Sequence, residues 1–140
     1  MPTTKLSISP FLFILSIALI GMLAPFSIDT YLPSFPSIEK ELLVSRELLT
    51  QSLSIYLISF AVATLFWGPL SDRFGRKPII LISLSGFLAA SLLAAMATTY
   101  EVLLVGRMFQ GFMVAGSMVA SRAMIRDAFS SKEAQKAMAI

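Results

Sequence analysis

Two ionisable side chains, Asp29 and Arg107, stand at or within long apolar stretches of this 140-residue chain. A charge facing lipid there costs roughly 2.5–3.5 kcal/mol even on the permissive insertion scale. Each therefore needs a bundle interior or a wet cavity. The chain has no histidine and no cysteine, which removes thiol catalysis, disulfides and thiolate metal sites. It also removes the usual side chain that titrates near neutral pH. Any proton handled there must ride on a carboxylate, and Asp29, within Ser27-Ile-Asp29-Thr30-Tyr31-Leu-Pro33, is the leading candidate. Burial disfavours a charged carboxyl and a nearby guanidinium favours it. An acid poised between the two changes protonation as its cavity opens to one side or the other. The plainer alternative is an acid at a helix end, wetted by interfacial water.

Arg107 opens the segment Arg107-Met-Phe-Gln110-Gly111. At helical spacing Arg107, Gln110, Val114, Ser117 and Ser121 share one face, a mostly polar stripe in an apolar helix. A guanidinium does not deprotonate in practice, so Arg107 tunes a carboxylate or orients a substrate and never carries the proton. The alternative is a structural arginine satisfied by carbonyls of a partner helix. Gly111, Ala115, Gly116 and Ala120 allow close helix packing, and Gly86, Ala90 and Ala94 form a second small-residue seam. Hydroxyls at Ser52, Ser54, Tyr56, Ser59 and Thr64 are expected to bond intrahelical carbonyls.

A third cluster is Gly68-Pro-Leu-Ser-Asp72-Arg73-Phe-Gly75-Arg76-Lys77, which sets charges and two glycines between two apolar runs. Glycine suits a tight turn or a close backbone approach. The carboxylate of Asp72 can accept from a helix N-terminus or pair with an arginine of a neighbouring helix end. Such a contact can form in one conformation and break in another, which makes it a latch. Arg122 and Arg126 are candidate partners, with Asp127 beside them, and the alternative is a charged turn that serves topology alone.

These residues need elements to hold them, and the composition says of what kind. A hydrophobic fraction of 56%, with 14% charged, excludes an ordinary soluble domain, which carries about 25% charged residues. Four spans are expected, near residues 11–32, 48–69, 78–97 and 102–120, with the start of a fifth near 134–140. The uncharged stretch from Phe11 to Ile28 alone reaches roughly 27 Å as a helix. It is longer than a signal-peptide core and further spans follow it. The connection 33–47 is the longest loop. Lys5, Arg73, Arg76, Lys77, Arg122, Arg126, Lys132 and Lys136 fall on one side and Lys40 and Arg46 on the other, so the N-terminus is expected inside. The pI near 9.5 follows from this topology, not from nucleic-acid binding.

Taken together, Asp29-Thr-Tyr31-Leu32-Pro33-Ser-Phe-Pro36, the Gly68–Lys77 block and the run from Arg107 to Asp127 resemble proton-coupled drug antiporters of the major facilitator superfamily. The nearest likeness is to the bicyclomycin-resistance (Bcr/CflA) type. One departure is Ala63-Thr64, where such relatives often carry Gly-Gln. The resemblance implies an all-α polytopic membrane protein whose four helices correspond to the first third of a twelve-helix fold built from three-helix repeats. It further implies a bacterial inner-membrane location. Its implied partners are drug-like small molecules, protons, the lipid bilayer and the remaining transporter helices, with no cofactor and no nucleic acid. Asp29, Arg107 and Gln110 would then serve proton and substrate coupling, and Gly68, Asp72, Arg73, Gly75, Arg76 and Lys77 would serve gating.

The expected function is proton-coupled efflux by alternating access, with this chain a truncated product or fragment, inactive by itself. A small four-helix homo-oligomeric exporter and a non-functional membrane remnant are the alternatives. An enzyme is not expected, because no nucleophile–base pair, metal cluster or phosphate loop is visible.

Overall fold

The computed structural model describes residues 9–128. Among them the ordered elements are all helical: α1 (Pro10–Tyr31), a 3-10 turn (Leu32–Ser34), α2 (Phe35–Leu42), α3 (Arg46–Phe74), α4 (Arg76–Ala95) and α5 (Tyr100–Ala128). Four stretches are long and apolar enough to cross a membrane: Pro10–Leu42, Arg46–Phe74, Arg76–Ala95 and Tyr100–Ala128. The expected start of a fifth span, and Lys5, Lys132 and Lys136, lie outside the described residues.

Local chemistry sets where these helices begin and end. Pro10 occupies the start of α1, where a missing N–H has no consequence. Ser45 caps α3 by accepting from the Leu48 N–H at 3.4 Å, and Glu47 suits the positive end of that helix. The ten-residue block expected to turn does so at one residue. α3 runs on through Gly68 and Pro69 to Phe74, and α4 starts at Arg76. Only Gly75, at φ 94°, leaves the helical region, a conformation that glycine adopts without a Cβ penalty. Pro69 removes one backbone donor, and Arg73 stands in the last turn, where a cation is favourable. At 29 residues, α3 is roughly 43 Å long. That exceeds the hydrocarbon core of about 30 Å, so its charged end reaches the headgroup region.

α5 is the central helix. Half of its most apolar window is buried, against 11% for the stretch that contains α1. Its small residues make that position possible. A Cβ at Gly111 would collide with the Tyr56 carbonyl oxygen of α3, and one at Gly116 would collide with Ser83 of α4 and the Trp67 ring. Ser59 and Trp67 of α3 donate to the α5 carbonyls of Met108 and Phe112, each at 2.8 Å. The seam of Gly86, Ala90 and Ala94 is packing, as expected: Ala94 faces Gly106 and Gly86 lies beneath Met113.

α1 is held more lightly. Only Ile17, Ala24 and Tyr31 of it are buried, at steps of seven along one edge. The long loop expected at 33–47 is mostly α2, which lies across one end of the bundle with Phe35, Ile38 and Leu42 against Leu49 and Leu103. It ends at Leu43 in the left-handed region, and Glu39 pairs with Arg46 at 3.1 Å.

Candidate functional site

The stripe Arg107, Gln110, Val114, Ser117 and Ser121 is buried throughout. Arg107 itself is 3% exposed, yet no carboxylate pairs with it among the described residues. An unpaired buried cation is costly, so other groups must compensate. Nη1 donates to the Gln110 Oε1 at 2.9 Å and to the Ser27 Oγ at 3.3 Å. The guanidinium carbon lies 3.7 Å from the centroid of the Tyr31 ring and 5.0 Å from that of Tyr56. Cation–π contacts in desolvated settings contribute about 2 kcal/mol. Nε and Nη2 have no hydrogen-bond acceptor among the described residues. The two ring contacts are the further partners that the described residues give the guanidinium.

The supporting bonds have fixed directions. Ser52 donates to the Leu49 carbonyl at 2.6 Å, so the Tyr31 hydroxyl is the donor to Ser52 at 2.5 Å. Gln110 Nε2 donates to Ser91 Oγ at 2.9 Å, and Ser91 donates to the Phe87 carbonyl at 2.8 Å. A polar chain from Ser52 through Tyr31, Arg107 and Gln110 to Ser91 thus touches α3, α1, α5 and α4. Most of the second-span hydroxyls bond carbonyls of their own helix as expected, but Tyr56 and Ser59 do not: they bond Ala24 and Met108 of other helices.

Beside this chain lies a cavity of about 440 Å³ between α1, α4 and α5, towards the α2 end. Ser27 and Thr30 of α1, Phe87 and Ser91 of α4, and Arg107 and Gln110 of α5 line it. Its walls are mainly apolar with few polar groups, a combination suited to amphipathic small molecules. Asp29 is not part of it. The acid is exposed on the face of α1 turned away from Tyr31, along with the exposed apolar side chains Phe11, Leu15 and Met22. Asp29 and Arg107 are therefore not brought together within these four helices.

The charged end is organised around Arg76. Its Nη1 lies 2.6 Å from Asp72 Oδ1 and donates to Ser71 Oγ at 2.9 Å, while Nε lies 3.0 Å from Asp127 Oδ2. Asp72 thus pairs with Arg76 and not with Arg122 or Arg126, which are exposed and form no ion pair among the described residues. The reason is the one-residue joint: with α3 and α4 separated by Gly75 alone, positions 72 and 76 meet as neighbours one turn apart. Asp127 supplies the bond from α5. Arg73 and Lys77 are exposed, the former 5.4 Å from the Phe74 ring centroid. Gly68 has no neighbour within 4 Å of where a Cβ would stand.

The aromatic partners of Arg107 were not foreseen from sequence. A signal for them exists in retrospect: Ser27 with Tyr31 and Ser52 with Tyr56 are both four apart, which places each hydroxyl pair on one helix face.

Residues 17–140 match the family described as the Major Facilitator Superfamily. The chain is 43% identical over 135 residues to a bicyclomycin resistance protein homolog of Haemophilus influenzae, covering 93% of this chain and 33% of that protein. It is 40% identical over 121 residues to the uncharacterized MFS-type transporter YdgK of Bacillus subtilis, covering 84% and 30%. It is 34% identical over 119 residues to the multidrug resistance protein MdtL of Klebsiella pneumoniae, covering 85% and 30%. The chain spans about a third of the length of the curated relatives it matches.

Proposed function

The chain belongs to the Major Facilitator Superfamily, and from that premise we propose that the full-length protein exports drug-like small molecules in exchange for protons. Two of the relatives carry names of bicyclomycin and multidrug resistance, which supports efflux as the direction. The activity is assigned to the full-length protein, because alternating access needs a path between two halves and the chain spans a third of its relatives. The N-terminus lies on the cytoplasmic side, following the clustering of Lys and Arg at the Gly75 end.

The observation that carries the reading is Arg107: a guanidinium buried in a membrane bundle, unpaired by any carboxylate of the described residues, beside an apolar cavity. Intramembrane charges so placed are expensive and mark transport paths. Asp29 carries the proton in this reading. It stands exposed on an otherwise apolar, lightly packed face of α1, where a carboxylate turned to lipid is costly. Arg76, bridging Asp72 and Asp127, holds the cytoplasmic ends of α3, α4 and α5 together in one conformation of the cycle. No covalent step is required.

Asp29→Asn in the full-length protein tests this reading. It should abolish drug resistance conferred on a sensitive bacterial host while membrane insertion stays normal. Resistance at the unmutated level would remove Asp29 from the mechanism.

A further inference from the structure

We infer that Tyr31 is a positioning residue for Arg107, and that its ring, rather than its hydroxyl, carries the state of α1 to that arginine. This inference rests on the proton-exchange reading above, in which α1 bears the acid and α5 bears the arginine.

The geometry argues it from both ends. The Tyr31 hydroxyl is committed: it donates to Ser52, whose own proton goes to the Leu49 carbonyl. The ring is left to face Arg107 at 3.7 Å, beside a guanidinium whose Nε and Nη2 have no hydrogen-bond partner among the described residues. Tyr56 contributes a second ring, but at 5.0 Å. Ser27 reaches the same arginine from one turn earlier in α1, at 3.3 Å. The hydrogen bond and the ring contact that α1 gives Arg107 thus come from Ser27 and Tyr31.

Asp29 lies between those two positions in sequence and on the opposite face of the helix. A rotation or shift of α1 that follows a change in charge at Asp29 must move Ser27 and Tyr31 by a comparable amount, because a helix turns as a unit. α1 is also the helix best able to make such a shift, since it is anchored by three buried side chains, of which Tyr31 is one. The ring face is the contact that senses the movement most steeply. A cation over a ring loses its attraction once it slides off the face, whereas the Gln110 bond stays within α5 and moves with the arginine.

The test compares the full-length protein with Tyr31→Phe and Tyr31→Leu in lipid nanodiscs, reading the Arg107 Nε–H resonance by NMR and assigning it with Arg107→Lys. The ring current should hold that resonance upfield of exposed arginines in the unmutated protein and in Tyr31→Phe. In Tyr31→Leu it should return to the ordinary position. Proton-linked efflux from vesicles should persist with an unchanged pH profile in Tyr31→Phe. It should fall about tenfold in Tyr31→Leu, with a displaced profile.

A series of progressively fluorinated phenylalanines at position 31 keeps the shape and drains the ring face of charge. The logarithm of the efflux rate should fall with each fluorine. A flat series, or Tyr31→Phe behaving like Tyr31→Leu, overturns the inference while leaving proton exchange standing. Absence of proton-linked efflux in the unmutated protein defeats the functional reading instead, and the ring-current shift then decides the placement of Arg107 by itself.

Discussion

Asp29 and Arg107 meet α1 from opposite sides: Arg107 packs against the Tyr31 edge, while Asp29 is exposed on the far face. The two charges that the chain places among its apolar residues thus sit on opposite sides of one helix and form no ion pair with each other.

Arg76 provides the firmest charged contact of the described residues, and its removal should be felt at three helix ends. Surface ion pairs contribute about 0.2–1 kcal/mol each. Asp127→Ala should therefore lower stability by less than about 1 kcal/mol. Arg76→Ala, which loses Asp72, Ser71 and Asp127 together, should cost more than either aspartate variant. Denaturant titrations in detergent, followed through Trp67, the chain's single tryptophan, provide the measurement. Equal costs for Arg76→Ala and Asp127→Ala would mean that the bond to Asp72 contributes nothing.

The two glycines of the charged block should respond oppositely. Gly75→Ala forces an L side chain into φ 94°, ψ 160°, a region open essentially to glycine alone, and should cost about 1–3 kcal/mol. Gly68→Ala lies inside α3 with open space around it and should be neutral, or stabilising by about 0.5–1 kcal/mol. The same titration separates them, and matching losses would refute a one-residue joint.

Close packing around α5 makes a stronger demand. Gly111→Ala drives a methyl into the Tyr56 backbone and should cost about 1–3 kcal/mol or more, the range for overpacking. Gly116→Ala meets the Trp67 ring at 2.8 Å, so it should also shift tryptophan emission. An unchanged spectrum in Gly116→Ala would show that α3, α4 and α5 are not in this register.

Leu43 ends α2 at φ 54° and is 90% exposed. With little packing to lose, Leu43→Gly should relieve about 1 kcal/mol of backbone strain. A drop in thermal midpoint instead would mean that Leu43 packs against something in the membrane.

The pattern of apolar runs was enough to locate four spans, because hydrophobic length is a property of sequence alone. The polar stripe of α5 was equally legible, since helical period puts Arg107, Gln110, Ser117 and Ser121 on one side whatever they meet. Helix ends were not. Gly68, Pro69 and a row of charges read as a turn, yet a charged segment beyond the membrane core remains a good helix until a residue must take positive φ, and only Gly75 does. Partners across helices were hidden for a different reason. Nothing in spacing tells which helix faces Arg107, so Tyr31 and Tyr56 emerged only with the packing, and Asp72 found Arg76 because the joint is so short.

Proton movement during export is the most direct test of the account. In inverted membrane vesicles loaded with a pH-sensitive dye and energised, adding a transported drug should release part of the proton gradient when the full-length protein is present. The release should vanish in Asp29→Asn, with the same amount of protein in the membrane. Drug-dependent proton release that persists undiminished in Asp29→Asn would contradict the central claim.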